Sequence, residues 1–171
     1  MPPDENDIIK KAIDGDRESF SSLLDTYYDV IFKIAYKWCG NPEDAEDIAQ
    51  EACIKIARAI SGYKMESKFS SWVYRIVINA ANDFYRKKKE YLSNIEIEKI
   101  ESNDSSASDL IEAKQLWQMV NTLPEKQRDA VLLVYCEEMS HLEAAEVLQC
   151  AESTISWHIM EAKKQLRGMI D

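Results

Sequence analysis

Apolar residues recur along this chain at the spacing of α-helices. Phe20, Leu23, Leu24, Tyr27, Ile31, Ile34, Ala35 and Trp38 form one such stripe, and Ala45, Ile48, Ala49, Ala52, Ile56, Ala57 and Ile60 form a second. The break between them is Cys39, Gly40, Asn41, Pro42, Glu43, Asp44. Gly ends one helix, Asn41 has the side chain to cap the next, and Pro42 suits its first turn. A loop is expected from Ser61 to Phe69, then a helix from about Ser70 to Lys89 that buries Val73, Ile76, Val77, Ala80, Ala81 and Phe84. This helix ends on the basic run Arg86, Lys87, Lys88, Lys89, where cations favour a C-terminus.

The periodicity lapses between Ser93 and Ser108, where ESNDSSAS is a polar stretch of linker composition. Two helical domains, 1–92 and 109–171, are therefore expected to be joined by a flexible linker over 93–108. Beyond it, Asp109 with Glu112 forms the pattern of a capping box opening a helix to Leu123, and Pro124 starts another through Cys136. Ser140 with Glu143 is a second box, followed by a short helix His141 to Leu148, a turn Gln149 to Glu152 and a long helix from about Ser153 to Met169. Short helix, tight turn and longer helix make a helix-turn-helix. The expected fold is all-α, with two small domains and the helix-turn-helix in the second.

With 171 residues, 46% hydrophobic and 30% charged, the chain has the apolar content for a core, which excludes disorder throughout. Its four glycines, at 15, 40, 62 and 168, are too scattered for a GxxxxGK[ST] or GxGxxG phosphate loop. Cys39, Cys53, Cys136 and Cys150 never form CxxC, so they are expected to be buried thiols, with any redox pairing of Cys39 and Cys53 left open. His141 and His158 form no HExxH, and no serine sits in GxSxG. No catalytic residue, metal, cofactor or small-molecule substrate is expected. The N-terminus lacks a basic segment followed by an apolar one, and no run of about eighteen apolar residues occurs, so neither export nor membrane insertion is expected and the cytoplasm is the expected compartment.

Charge changes this picture, because it is unevenly spread. The net charge is −10, which opposes tight binding to bare nucleic acid. Residues 1–51 carry 5 basic and 13 acidic side chains, whereas 52–89 carry 9 basic and 2 acidic. Nucleic-acid contact is expected to centre on that middle segment.

At this point the order of motifs becomes recognisable. NPEDAEDIAQEACIKIARAI resembles the D-A-E-D-[LI]-x-Q-[ED] segment of bacterial extracytoplasmic-function (ECF) sigma factors, and KFSSWVYRIVINAANDFYRKK resembles their F-x-[ST]-W-[LV]-x-x-I-x-x-N segment. TLPEKQRDAVLLVYCEEMSHLEAAEVLQCAESTISWHIMEAKKQLR is similar to their LPxxxR opening followed by a helix-turn-helix. Residues 19–90 and 112–168 carry the resemblance. It implies a chain that binds core RNA polymerase and directs promoter-specific transcription initiation.

Asp44, Glu46, Asp47, Gln50 and Glu51 crowd the first turns of one helix with more carboxylate than its N-terminus needs, which suits a basic partner surface. The resemblance makes that partner the clamp coiled coil of the polymerase, with Asp47, Gln50 and Glu51 matching most closely. Arg75, Asn79, Asn82 and Arg86 form a polar stripe, and Lys64, Lys68 and Phe69 precede it. Cations, amides and an aromatic together are what single-strand binding requires. The resemblance implies capture of a flipped base of the minus ten element there. Trp72 and Tyr85 have two uses, stacking on bases or packing, and the run Arg86, Lys87, Lys88, Lys89 has two as well, contact with phosphate or a solvated tail.

In the last helix Ile155, Ile159, Ala162, Leu166 and Met169 are expected to face inward, leaving Ser153, Thr154, Ser156, Trp157, His158 and Glu161 outward as minus 35 readers, with Lys163 beyond. The family's commoner form has Gly where Gln149 stands and basic residues at Ser156, His158 and Glu161. That departure weakens phosphate anchoring. The resemblance also implies an anti-sigma partner. The alternative is a sigma-like decoy that sequesters an anti-sigma factor without binding promoter DNA. An ordinary dimeric repressor would leave the DAEDIAQE segment and the asparagine stripe without purpose.

Overall fold

The computed structural model describes residues 2–94 and 108–170, and all regular structure among them is helical. Most of the expected linker, 95–107, lies outside the described residues. The chain gathers into two compact units, Met1–Ala81 and Asn82–Asp171, so the division falls inside one long helix.

The first unit contains α1 (Glu5–Ile13), α2 (Arg17–Cys39), α3 (Pro42–Ala59) and the start of α4 (Phe69–Ser93). Helix α1 was not expected from the sequence pattern. It packs on α2 and buries Ile9 and Ala12. The corner between α2 and α3 follows from its residues. Gly40 takes the left-handed conformation at φ 77°, Asn41 Oδ1 accepts from the Asp44 amide at 2.8 Å, and Pro42 opens α3. Against each other, α2 buries Ile31, Ile34, Ala35 and Trp38, and α3 buries Ala45, Ile48, Ala49, Ala52 and Ile56. A 3₁₀ turn, Ile60–Gly62, ends α3.

Helix α4 buries Phe69, Val73, Val77, Ala80 and Ala81 as its periodicity requires, and also Ile78. Ile76 and Phe84, expected inside, are half-buried. Adjacent buried pairs at 77–78 and 80–81 mean that the middle of α4 is enclosed on more than one side.

The second unit contains the rest of α4, α5 (Ser108–Asn121), α6 (Glu125–Val131), α7 (His141–Leu148) and α8 (Glu152–Ile170). The expected box of Asp109 with Glu112 rests on the Asp109 side chain, which lies outside the described ones. Helix α6 continues as a π turn, Leu132–Cys136, with the Glu137 amide donating to Leu132 O at 3.0 Å, where a plain helix was expected. Residues 127–133 are all buried, polar Gln127, Arg128 and Asp129 included.

The capping box of α7 is complete: Glu143 N donates to Ser140 Oγ at 3.1 Å, and Ser140 N to Glu143 Oε2 at 2.8 Å. Gln149 ends α7 in the left-handed region, φ 54°, the conformation that favours glycine. Helix α8 packs on α5, α6 and α7, burying Ile155, Ile159 and Ala162. Met169, expected inward, is exposed, and its sulfur accepts from Thr122 Oγ1 at 3.6 Å. The cysteines also depart from expectation. Cys39 is buried, Cys53 and Cys150 are half-buried and Cys136 is exposed; none of the four is joined in a disulfide. No helix among the described residues is long and apolar enough to cross a membrane.

Candidate nucleic-acid and protein interfaces

On α3 the burial of Ala45, Ile48, Ala49, Ala52 and Ile56 fixes which side faces out. Glu46, Asp47, Gln50 and Glu51 are all exposed, and Ile54, one turn beyond Gln50, is 45% exposed. Asp44 is half-buried instead, with its Oδ2 accepting from Asn41 Nδ2 at 2.7 Å. It serves the helix corner, and the open face is four residues long with an apolar side chain beside it.

The loop before α4 is built on aromatics. Tyr63 donates its hydroxyl to Ser67 O, and the Tyr63 ring lies 5.4 Å from Phe69 and 5.0 Å from Trp72. Tyr27 of α2 meets Phe69 edge-on at 5.1 Å. Its hydroxyl donates to Glu5 Oε1 of α1, and burial, reinforced by that carboxylate, pushes the phenol well above its ordinary pKa. Phe69, expected as an open stacking ring, is buried in this cluster, whereas Trp72 stays half-exposed. No pattern along the chain signals that Tyr27 and Tyr63 join them, because α2, the loop and α4 meet only in the fold.

In the same loop Lys64 and Lys68 are exposed. Along α4, Arg75 is half-buried and Asn79 is exposed. The second asparagine differs: Asn82 is buried, donating from Nδ2 to Asp129 Oδ2 at 2.9 Å and accepting from Arg128 Nη2 at 2.6 Å. Its expected place on an open stripe is corrected by these two partners. Arg86 is exposed and pairs with Asp83 at 3.0 Å and Glu125 at 3.3 Å. Lys87 and Lys88 are exposed, with Lys88 Nζ 5.9 Å from the Phe84 ring centroid.

At the start of α8, Ser153, Ser156 and Trp157 are exposed, and Thr154 and Glu161 are half-buried. Ser156 Oγ is 2.8 Å from His141 Nδ1, tying the two helices of the helix-turn-helix together. His158, expected outward, is half-buried against the Trp157 ring at 5.1 Å, and its Nδ1 is enclosed with no hydrogen-bond partner. Burial, then the charge of Lys126, holds this imidazole below its usual pKa. Lys163 is exposed and sits over the Tyr135 ring at 5.5 Å.

Two family matches coincide with these surfaces. Residues 23–91 match Sigma-70 region 2 and residues 113–166 match Sigma-70, region 4. The chain is 32% identical over 176 residues to the ECF RNA polymerase sigma factor SigW of Bacillus subtilis (strain 168), covering 95% of this chain and 94% of that one. Its fold is shared with CnrH, solved in complex with the cytosolic domain of CnrY, at a TM-score of 0.69 and 19% identity over 98% of this chain and 97% of that one. It is shared too with the sigma factor RpoE of Bartonella quintana, solved with the anti-sigma factor NepR, at a TM-score of 0.63 and 21% identity over 90% and 97%. With both regions matched in order and the likeness to SigW running nearly end to end, the chain belongs to the ECF RNA polymerase sigma factors.

Proposed function

We propose that this sigma factor docks on core RNA polymerase through Glu46, Asp47, Gln50 and Glu51 of α3. It opens and reads the minus ten element with the surface of Lys64, Lys68, Trp72, Arg75 and Asn79, and the minus 35 element with Ser153, Thr154, Ser156 and Trp157 of α8. Residues 1–92 act as the first functional domain, 109–171 as the second and 93–108 as their tether. The chain performs no chemistry of its own and works in the cytoplasm, where its polymerase is. An anti-sigma protein that covers these faces is the partner class that would hold it inactive.

The observation that carries this reading is one of charge. Within the first unit an exposed carboxylate face on α3 accompanies exposed Lys64, Lys68 and Asn79 beside a half-exposed tryptophan. Carboxylates suit a protein partner, and cations with amides and an aromatic suit unpaired DNA. Decoy function would leave that second surface unused.

Reconstituted transcription tests the reading. The purified chain with bacterial core polymerase on fragmented genomic DNA is expected to give discrete transcript starts that share two upstream elements. No starts from a folded protein would overturn the proposal in favour of the decoy. Reversing charge with Asp47→Lys and Glu51→Lys is expected to abolish association with the core enzyme without unfolding the chain. Asn79→Ala is expected to leave association intact and impair strand opening.

A further inference from the structure

Ser156 stands one turn inside α8 with its side chain exposed, and the fold gives its one hydroxyl hydrogen two acceptors on the protein. Glu152 O, at the start of the same helix, lies 3.3 Å from Ser156 Oγ, the bond to the carbonyl four residues back that a helical serine can make. His141 Nδ1, from the first residue of α7, lies 2.8 Å from the same oxygen. The backbone at His141 is fixed by the completed capping box of Ser140 and Glu143, which closes the first turn of α7.

A serine hydroxyl ordinarily both donates and accepts, so by itself it does not tell one base edge from another. Here the protein makes the choice. When His141 Nδ1 carries a proton, it donates to Ser156 Oγ and the hydroxyl hydrogen goes to Glu152 O; when Nδ1 is bare, it accepts that hydrogen itself. In both tautomers, and in the imidazolium, the hydrogen is spent inside the helix-turn-helix. What exposed Ser156 offers outward is a lone pair. In the major groove the groups that a lone pair can meet are the amino groups of adenine and cytosine, whereas guanine and thymine present acceptors.

We propose that His141 sets Ser156 as an acceptor-only reader of the minus 35 element, so that this position selects a base with an exocyclic amino group, adenine or cytosine. The proposal rests on α8 being the minus 35 surface. His141 is a positioning residue that acts through Ser156. A lysine or arginine in place of Ser156 could only donate, and would select the opposite class of base edge.

The test uses this chain in holoenzyme with core polymerase, and duplexes of a promoter found by reconstituted transcription, each with one base pair of its upstream element changed. The pair whose preference Ser156→Ala removes is the one that Ser156 reads. Wild type is expected to favour adenine or cytosine there about fivefold over guanine or thymine in binding affinity. Replacing that adenine by purine, or that cytosine by pyrimidin-2-one, deletes the amino group alone; it is expected to cost wild type the same factor and Ser156→Ala nothing. His141→Leu should level the preference at this pair and leave those at other pairs intact, and His141→Gln, whose amide both donates and accepts, should restore it in part. A guanine or thymine preference at that pair, no effect of Ser156→Ala on any pair, or an unchanged or uniformly weakened profile in His141→Leu overturns the proposal and leaves the sigma reading standing. Absence of transcript starts overturns both.

Discussion

His158 shows how much one imidazole inherits from its surroundings. Its Nδ1 is enclosed without a partner, and burial with Lys126 nearby lowers its pKa from the ordinary 6.5. The unfolded chain therefore takes up this proton first as pH falls, so the stability it contributes is complete above the unfolded value and declines below it. The thermal midpoint is expected to drop between about pH 7.5 and about pH 5.5, and His158→Gln should flatten that drop. Superimposable melting profiles of the two proteins would remove this role. Asn82 carries the same lesson for binding. Its position on a polar stripe was legible, but its burial was set by Arg128 and Asp129, forty-six and forty-seven positions away. Cys136 makes the converse point, since residue type argues for burial and the π turn leaves it exposed.

Helices owe their ends to local chemistry and their faces to packing. The α2–α3 corner was legible because Gly40, Asn41 and Pro42 act on their own backbone. Asn41→Ala removes the 2.8 Å cap and is expected to cost about 1 kcal/mol in chemical denaturation. Trp38, fully enclosed in α2, should cost about 3–5 kcal/mol on truncation to Ala, enough to lower the midpoint visibly, and a neutral result would contradict its place in the core. Helix α4 was legible as a helix, yet its enclosure on more than one side was not, because a moment over its own sequence registers a single apolar stripe. Helix α6 resists such reading further, since Gln127, Arg128 and Asp129 look like solvent-facing residues until their partners are in place.

At the scale of the molecule, charge and multiplicity govern behaviour. A net charge of −10 is expected to keep the free chain weak on random duplex DNA, weaker than about 10 µM at physiological salt by fluorescence anisotropy. Two modest DNA surfaces held together on a polymerase gain affinity by effective concentration, with no stronger contact at either. Tight binding of the free chain to random DNA would reverse this account of its acidity.

Helical content, the α2–α3 corner, the completed capping box of α7, the helix-turn-helix and the segregation of acidic from basic segments were all legible in residue order. Helix ends and apolar periodicity depend on residues within a turn or two of one another, so residue order alone carries them. Packing between distant segments settled that Phe69 meets Tyr27 and Tyr63, that α6 ends in a π turn, and that Asn82 is held by Arg128 and Asp129. Burial is a property of what arrives from elsewhere in the chain. A polar side chain at a polar position becomes an interior one when a distant helix supplies both a donor and an acceptor for it.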